Sequence, residues 1–153
     1  MAFEQLVVFQ LATEEYAIPI SQVKEINRYN GANKLPDMPA YMDGIINLRG
    51  KVIAVIDLAK KFALQVNKET EKQALIVEAA GQEVGLVVNY VTEVIRLEED
   101  AIEPANGIAH SNDFIRSIGK VDKRLLIVLD LDKLFSQEEM IMLKDKRITT
   151  WED

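Results

Sequence analysis

Asn47-Leu48-Arg49-Gly50-Lys51-Val52-Ile53-Ala54-Val55-Ile56-Asp57-Leu58-Ala59-Lys60-Lys61-Phe62 is the stretch on which the fold turns. Val52 to Ile56 is apolar at every position, whereas a strand with one wet face alternates apolar and polar residues. Both faces of this strand must therefore be covered. Its close, Ile56-Asp57-Leu58-x-Lys60-x-Phe62, returns as Leu129-Asp130-Leu131-x-Lys133-x-Phe135, and the run before that copy, Leu125 to Leu129, is again wholly apolar. Further upstream a second echo places Gln5, Val23 and Glu25 opposite Gln73, Val91 and Glu93. Two echoes in the same order describe a chain of two similar halves, roughly 3–64 and 71–136, with a C-terminal helix at 137–144. The expected fold is all-β dominated: two small intertwined barrels that share a hydrophobic core, with a few short helices.

At 153 residues the chain suits one domain, or two small barrels around a common core. With 48% hydrophobic and 28% charged residues it is neither disordered nor membrane-embedded in composition. A net charge of -7 argues against a nucleic-acid partner, which needs clustered Lys and Arg. The N-terminal Met-Ala-Phe-Glu lacks the basic region of a signal peptide, and the apolar runs are far shorter than a spanning helix needs, so no membrane insertion and a cytoplasmic location are expected. The absence of Cys fits a reducing compartment and removes thiolate chemistry.

Turn signals at Ala12-Thr13, Arg49-Gly50, Ala80-Gly81 and Asp122-Lys123 divide the strands into hairpins. The polar run Gln65 to Lys72 connects the halves, and Glu98 to Asn112 reads as a long surface loop. Ser21 is expected to cap a helical turn over Gln22 to Glu25, and Pro39 with Gly44 to bracket another. Ser136-Gln137-Glu138-Glu139 is a capping box, flanked by Phe135 and Met140, and predicts a helix that packs Met140, Ile141 and Leu143 on the barrels.

Catalytic patterns are scarce. His110 is the only histidine, there is no phosphate-binding glycine motif, and no cofactor or metal site is expected. Asp57 and Asp130 could form an acid-base pair of a hydrolase or a small-ligand barrel, but each stands where a carboxylate caps a turn, and a residue repeated in both halves is explained by the shared fold. Arg49 breaks the symmetry, since its counterpart is Asp122. Set among Ile45, Ile46, Leu48 and Val52, it is expected to bury part of its stem and to offer a planar head either to an internal carboxylate or to a partner. Val23 with Ile26, and Val91 with Val94, have the spacing that puts each pair on one side of a turn, either as core or as the lining of a groove for a partner helix.

Across nearly the whole chain, Gly44-x-x-Asn47-Leu48-Arg49-Gly50-x-Val52-Ile53-x-Val55-Ile56-Asp57-Leu58, with Val23-x-Glu25-Ile26, Gly85-Leu86-Val87-Val88 and the closing Leu129-Asp130-Leu131, resembles the CheW family of bacterial chemotaxis coupling proteins. The resemblance implies two five-stranded SH3-like barrels, no enzymatic activity and no cofactor. It further implies an adaptor that joins chemoreceptor cytoplasmic tips to the regulatory domain of the CheA histidine kinase, located in the cytoplasm at membrane-bound receptor arrays. The implied receptor-binding residues are Val23, Glu25, Gly44, Arg49, Val91 and Val94, and Asn47, Gly50, Asp57 and Asp130 are the structural motif. An adaptor of a related system with another output, such as pili, is the alternative within the class. Ala54 and Ala59 depart from the family, which usually has Pro and often Arg there; Ala54 should be tolerated, and Ala59 would remove a surface charge.

Overall fold

The computed structural model describes residues 2–65, 71–105 and 114–144. In chain order the strands and helices are β1 (Phe3–Leu11), β2 (Glu14–Pro19), β3 (Val23–Tyr29), β4 (Met42–Leu48), β5 (Lys51–Asp57), the single-turn helix α1 (Leu58–Lys61), β6 (Lys72–Ala79), β7 (Gln82–Val88), β8 (Tyr90–Glu98), β9 (Ile102–Pro104), β10 (Ile115–Val121), β11 (Arg124–Leu129) and helix α2 (Gln137–Lys144). They form a six-stranded sheet, β8-β1-β2-β11-β10-β9, and a five-stranded sheet, β3-β6-β7-β5-β4. The sixth strand, β9, lies inside the stretch read as a surface loop, where Glu103 pairs with Ile118. The rest of that stretch, including His110, and most of the connection between the halves lie outside the described residues.

Neither sheet is built from one half of the sequence. β1 and β2 pair with β8 and β11, and in the same pattern β6 and β7 pair with β3 and β5. The joins β2·β11 and β5·β7 are the parallel ones, which no hairpin can make. Side chains tie each curled sheet across its opening: Tyr29 on β3 donates to Asp43 on β4, and Arg116 on β10 reaches Glu4 on β1 at 2.6 Å.

Burial explains the unbroken apolar runs. Leu6 and Val8 turn into the six-stranded sheet with Ala17, Leu97, Leu126 and Val128. Ile53, Ala74 and Ile76 do the same inside the other. The alternate residues, Val7, Phe9, Tyr16 and Ile18 from one sheet and Ala54, Ile56, Leu75, Val77 and Leu86 from the other, meet in a shared core. Each barrel thus has a private interior and a common wall, and both faces are dry. Leu125 is the exception, 60% exposed at the end of its strand.

Several local expectations change. Ile20–Gln22 is a single 3-10 turn without a Ser21 cap, and Val23 already begins a strand. Residues between Pro39 and Gly44 make one turn, closed by the Met42 N–H on the Pro39 carbonyl at 3.0 Å, and Gly44 lies within β4. The capping box holds: the Glu139 N–H donates to Ser136 Oγ at 3.1 Å and the Ser136 N–H to Glu139 Oε1 at 2.8 Å. Met140 and Phe135 pack on the shared core, whereas Ile141 is 60% exposed; the Leu143 side chain lies outside the described residues.

Candidate interaction site

β3 and β8 are edge strands of different sheets, and both are irregular at one point. Opposite β6, Val23 faces Val77 and Glu25 faces Ile76, so Lys24 is an extra residue. Opposite β1, Val91 faces Phe9 and Glu93 faces Val8, so Thr92 is extra. Such bulges put residues three apart on the same face of a strand. Directly opposed residues share a face, and Val23 and Ile26 stand opposite Val77 and Leu75, while Val91 and Val94 stand opposite Phe9 and Val7. All four partners belong to the shared core. The two apolar pairs therefore extend that core onto the edges. Val23 and Val91 pack against it, and Ile26 and Val94 remain 41% and 50% exposed. The spacing noted in the sequence is right, but bulged strands produce it, not helical turns. Near the start of β8, a cleft of about 450 Å³ is bounded by Arg28, Lys72, Gln73, Tyr90 and Val91.

The glutamates between the apolar residues turn to the opposite face. Glu25 stands opposite Ile76, a residue of the barrel interior, and accepts from Arg49 and from Asn27 Nδ2 at 3.1 Å. Of the two outcomes expected for the Arg49 head, the structure shows the internal carboxylate, and the side chain is 66% exposed at the tip of the β4–β5 hairpin. There Arg49 and Gly50 have φ of +53° and +87°, the two-residue turn whose twist suits a hairpin. Asn47 Oδ1 accepts the Gly50 N–H at 2.8 Å, so Asn47 and Gly50 build the turn that aims Arg49 at Glu25.

Gly44 has a structural task. It is buried at φ +142°, and a Cβ there would lie 2.2 Å from the Asn33 carbonyl oxygen, whose segment pairs with Ile45 through hydrogen bonds of 2.8 and 2.9 Å. It shapes the β4 edge and has no side chain to offer a partner. Ala59 is also buried, in the shared core, so the expectation of a missing surface charge does not hold for this chain. Ala54 is fully buried at an interior strand position between Ile45 and Val84.

Asp57 and Asp130 occupy equivalent places. Asp57 accepts the Lys60 N–H at 3.2 Å and donates its own N–H to the Tyr41 carbonyl at 2.7 Å; Asp130 accepts the Asp132 N–H at 3.1 Å and donates to the Phe114 carbonyl at 2.7 Å. Each is committed to its own turn, and the recess beside Asp57 is lined by Leu11, Ala59, Lys72 and Val88 without Asp130. The hydrolase reading fails on this point, since an acid-base pair must share one open cleft. Among the described residues, no group of three or more Asp, Glu, His or Cys side chains converges as metal ligands would.

Two barrels with exchanged strands, turn-bound aspartates and apolar pairs on bulged edges define a β-barrel module built for protein contact. The family model for the CheW-like domain matches residues 5–139, and the chain belongs to that family. It is 35% identical over 143 residues to the chemotaxis protein CheW of Klebsiella aerogenes, covering 92% of this chain and 86% of that protein. It is 36% identical over 138 residues to that of Bacillus subtilis, covering 88% of each. The crystal structure of the scaffolding protein TtCheW from Thermoanaerobacter tengcongensis superposes with a TM-score of 0.81 at 38% identity, covering 88% of this chain and 94% of that one. The protein is a non-enzymatic chemotaxis adaptor of two SH3-like subdomains.

Proposed function

We propose that the protein couples chemoreceptor cytoplasmic tips to the regulatory domain of the CheA histidine kinase, working in the cytoplasm at membrane-bound receptor arrays. The observation that carries this reading is the pair of bulged edge strands, each presenting one anchored and one exposed apolar residue beside the shared core: Val23 with Ile26, and Val91 with Val94. An apolar strip beside a polar cleft fits one face of an amphipathic helical hairpin, and the bulges discourage strand addition at the same edges. No described helix is long and apolar enough to cross a membrane, so contact with an array would be made through partners. Glu25 and Arg49 pair on the other face of the same edge strand, Gly44 shapes the β4 edge, and individual contacts near micromolar, about -8 kcal/mol, suffice when an array repeats them.

The test is receptor-dependent activation of the kinase in a reconstituted ternary mixture, with Ile26→Glu and Val94→Glu compared with the unaltered protein. Both positions are open enough to accept a charge without unfolding the barrel. Loss of activation and of receptor binding, at an unchanged thermal midpoint, is the expected result. Full activation by both variants would overturn the placement of the receptor on these edges.

A further inference from the structure

The hairpin of the second barrel carries Asp122 where the first carries Arg49, yet Glu93, the counterpart of Glu25, is not left alone. Counting from the paired aspartates, Lys51 is matched by Arg124, and by the upstream echo Glu83 is matched by Glu15. Lys51 reaches Glu83 at 3.5 Å, and Arg124 bonds Glu15 through Nε at 3.0 Å and Nη2 at 2.7 Å. Arg124 then goes further, because the same Nη2 also donates to Glu93. One guanidinium in the second barrel performs what Lys51 and Arg49 divide between them in the first. A rigid planar fork with donors on Nε and Nη2 fixes the angle between the two carboxylates, which the point charge of a lysine on a flexible stem does not.

We propose that Arg124 is a positioning residue of the partner-binding surface: through Glu93 it holds the bulge of β8 and so sets how Val91 and Val94 are presented. This rests on the reading that those two residues meet the receptor. β8 is an edge strand, hydrogen-bonded only to β1 in its sheet, and its extra residue Thr92 adds a bond to the Val8 carbonyl at 3.2 Å. Glu93 turns away from the apolar pair, toward the interior side, so the arginine acts from behind the surface it shapes. Without the guanidinium, Glu15 and Glu93 are two carboxylates facing one vacated position, and their repulsion falls on an edge strand at its bulge, where a further restraint is the bond from the Val91 N–H to Gln73 Oε1 at 2.6 Å.

The experiment measures binding of a soluble chemoreceptor cytoplasmic hairpin to Arg124→Lys, Glu93→Gln, Glu15→Gln and Val94→Glu, with thermal midpoints and amide hydrogen exchange along β8. Arg124→Lys and Glu93→Gln are expected to weaken binding about tenfold, the scale of one lost charge-assisted hydrogen bond, and to speed exchange around Val91 to Val94. Glu15→Gln removes the charge from the bonds to the same arginine but leaves β8 held, so its affinity should stay within about twofold even where its midpoint falls as far. Equal losses from Glu15→Gln and Glu93→Gln would mean general destabilisation and overturn the proposal. So would normal binding by Glu93→Gln when Val94→Glu binds poorly. Normal binding by Val94→Glu would instead remove the receptor from this edge, and the proposal with it.

Discussion

At the scale of residues, backbone geometry separates positions that look alike in the motif. Gly44 has φ +142° and no room for a Cβ against the Asn33 carbonyl. Gly44→Ala is therefore expected to cost about 3 kcal/mol, combining overpacking with a strained φ, while the receptor affinity of the molecules that remain folded is unchanged; a denaturant titration beside a binding isotherm checks both. Arg49 is the opposite case. An Arg at φ +53° costs about 1 kcal/mol relative to residues that favour the left-handed region, and its exposed pair with Glu25 is worth at most about as much. Arg49→Asn should leave the unfolding midpoint equal or higher, because Asn suits the turn, yet lower kinase activation in the ternary mixture. Loss of stability without loss of activation would reverse that assignment.

At the scale of elements, α2 is held by one side chain that serves three partners. Glu139 closes the capping box, accepts from Lys61 at 3.0 Å and accepts from the Tyr41 hydroxyl, while the Lys61 ammonium lies 4.6 Å from the centre of the Tyr41 ring. Burial pushes the Glu139 carboxyl upward, but the bonds from Tyr41, the Ser136 N–H and Lys61 outweigh it and hold the group below its usual value of 4.5. For Tyr41, burial first and the bond to Glu139 second raise the phenol. A carboxyl depressed in the folded state contributes stability that is complete above its unfolded value and lost as pH falls through the folded one. The stability difference between the native protein and Glu139→Gln is thus expected to be constant above about pH 5 and to shrink below pH 4.5, read from thermal midpoints across the acid range. A difference that persists unchanged to pH 3 would show that the charge does not hold the helix.

At the scale of the whole molecule, the exchange of strands makes the halves inseparable. β1 and β2 have no neighbours other than β8 and β11, and β6 and β7 none other than β3 and β5, apart from their own hairpins. A half expressed alone leaves its longest apolar strands with unpaired edges and one bare face. Chains spanning 1–65 and 71–153 should each lack a cooperative transition, and an equimolar mixture should regain the strand signal in circular dichroism with a single melt. Independent folding of either chain would contradict the exchanged pairing.

The sequence by itself determined the strands with two apolar faces, the hairpin turns, the aspartate caps and the capping box, because each depends on residues within a few positions of one another, whereas β3 and β9 read as a helical turn and a loop. Two apolar faces on Val52 to Ile56, Gly at a position of positive φ and Ser three residues before Glu are all local facts. It also showed Glu25 opposite Glu93 and Arg49 without a copy. Only the tertiary structure decided what those mean. Val23 with Ile26 shares a face through a bulge that β6 imposes, Gly44 is fixed by Asn33 across a loop, and Arg124 replaces the missing arginine from two positions further along the chain. The bulge and the arginine depend on which strand lies beside which, and across the joins between halves that neighbour is distant in sequence, as Ala54 is from Val84 and Glu15 from Leu126, beyond what any local pattern encodes.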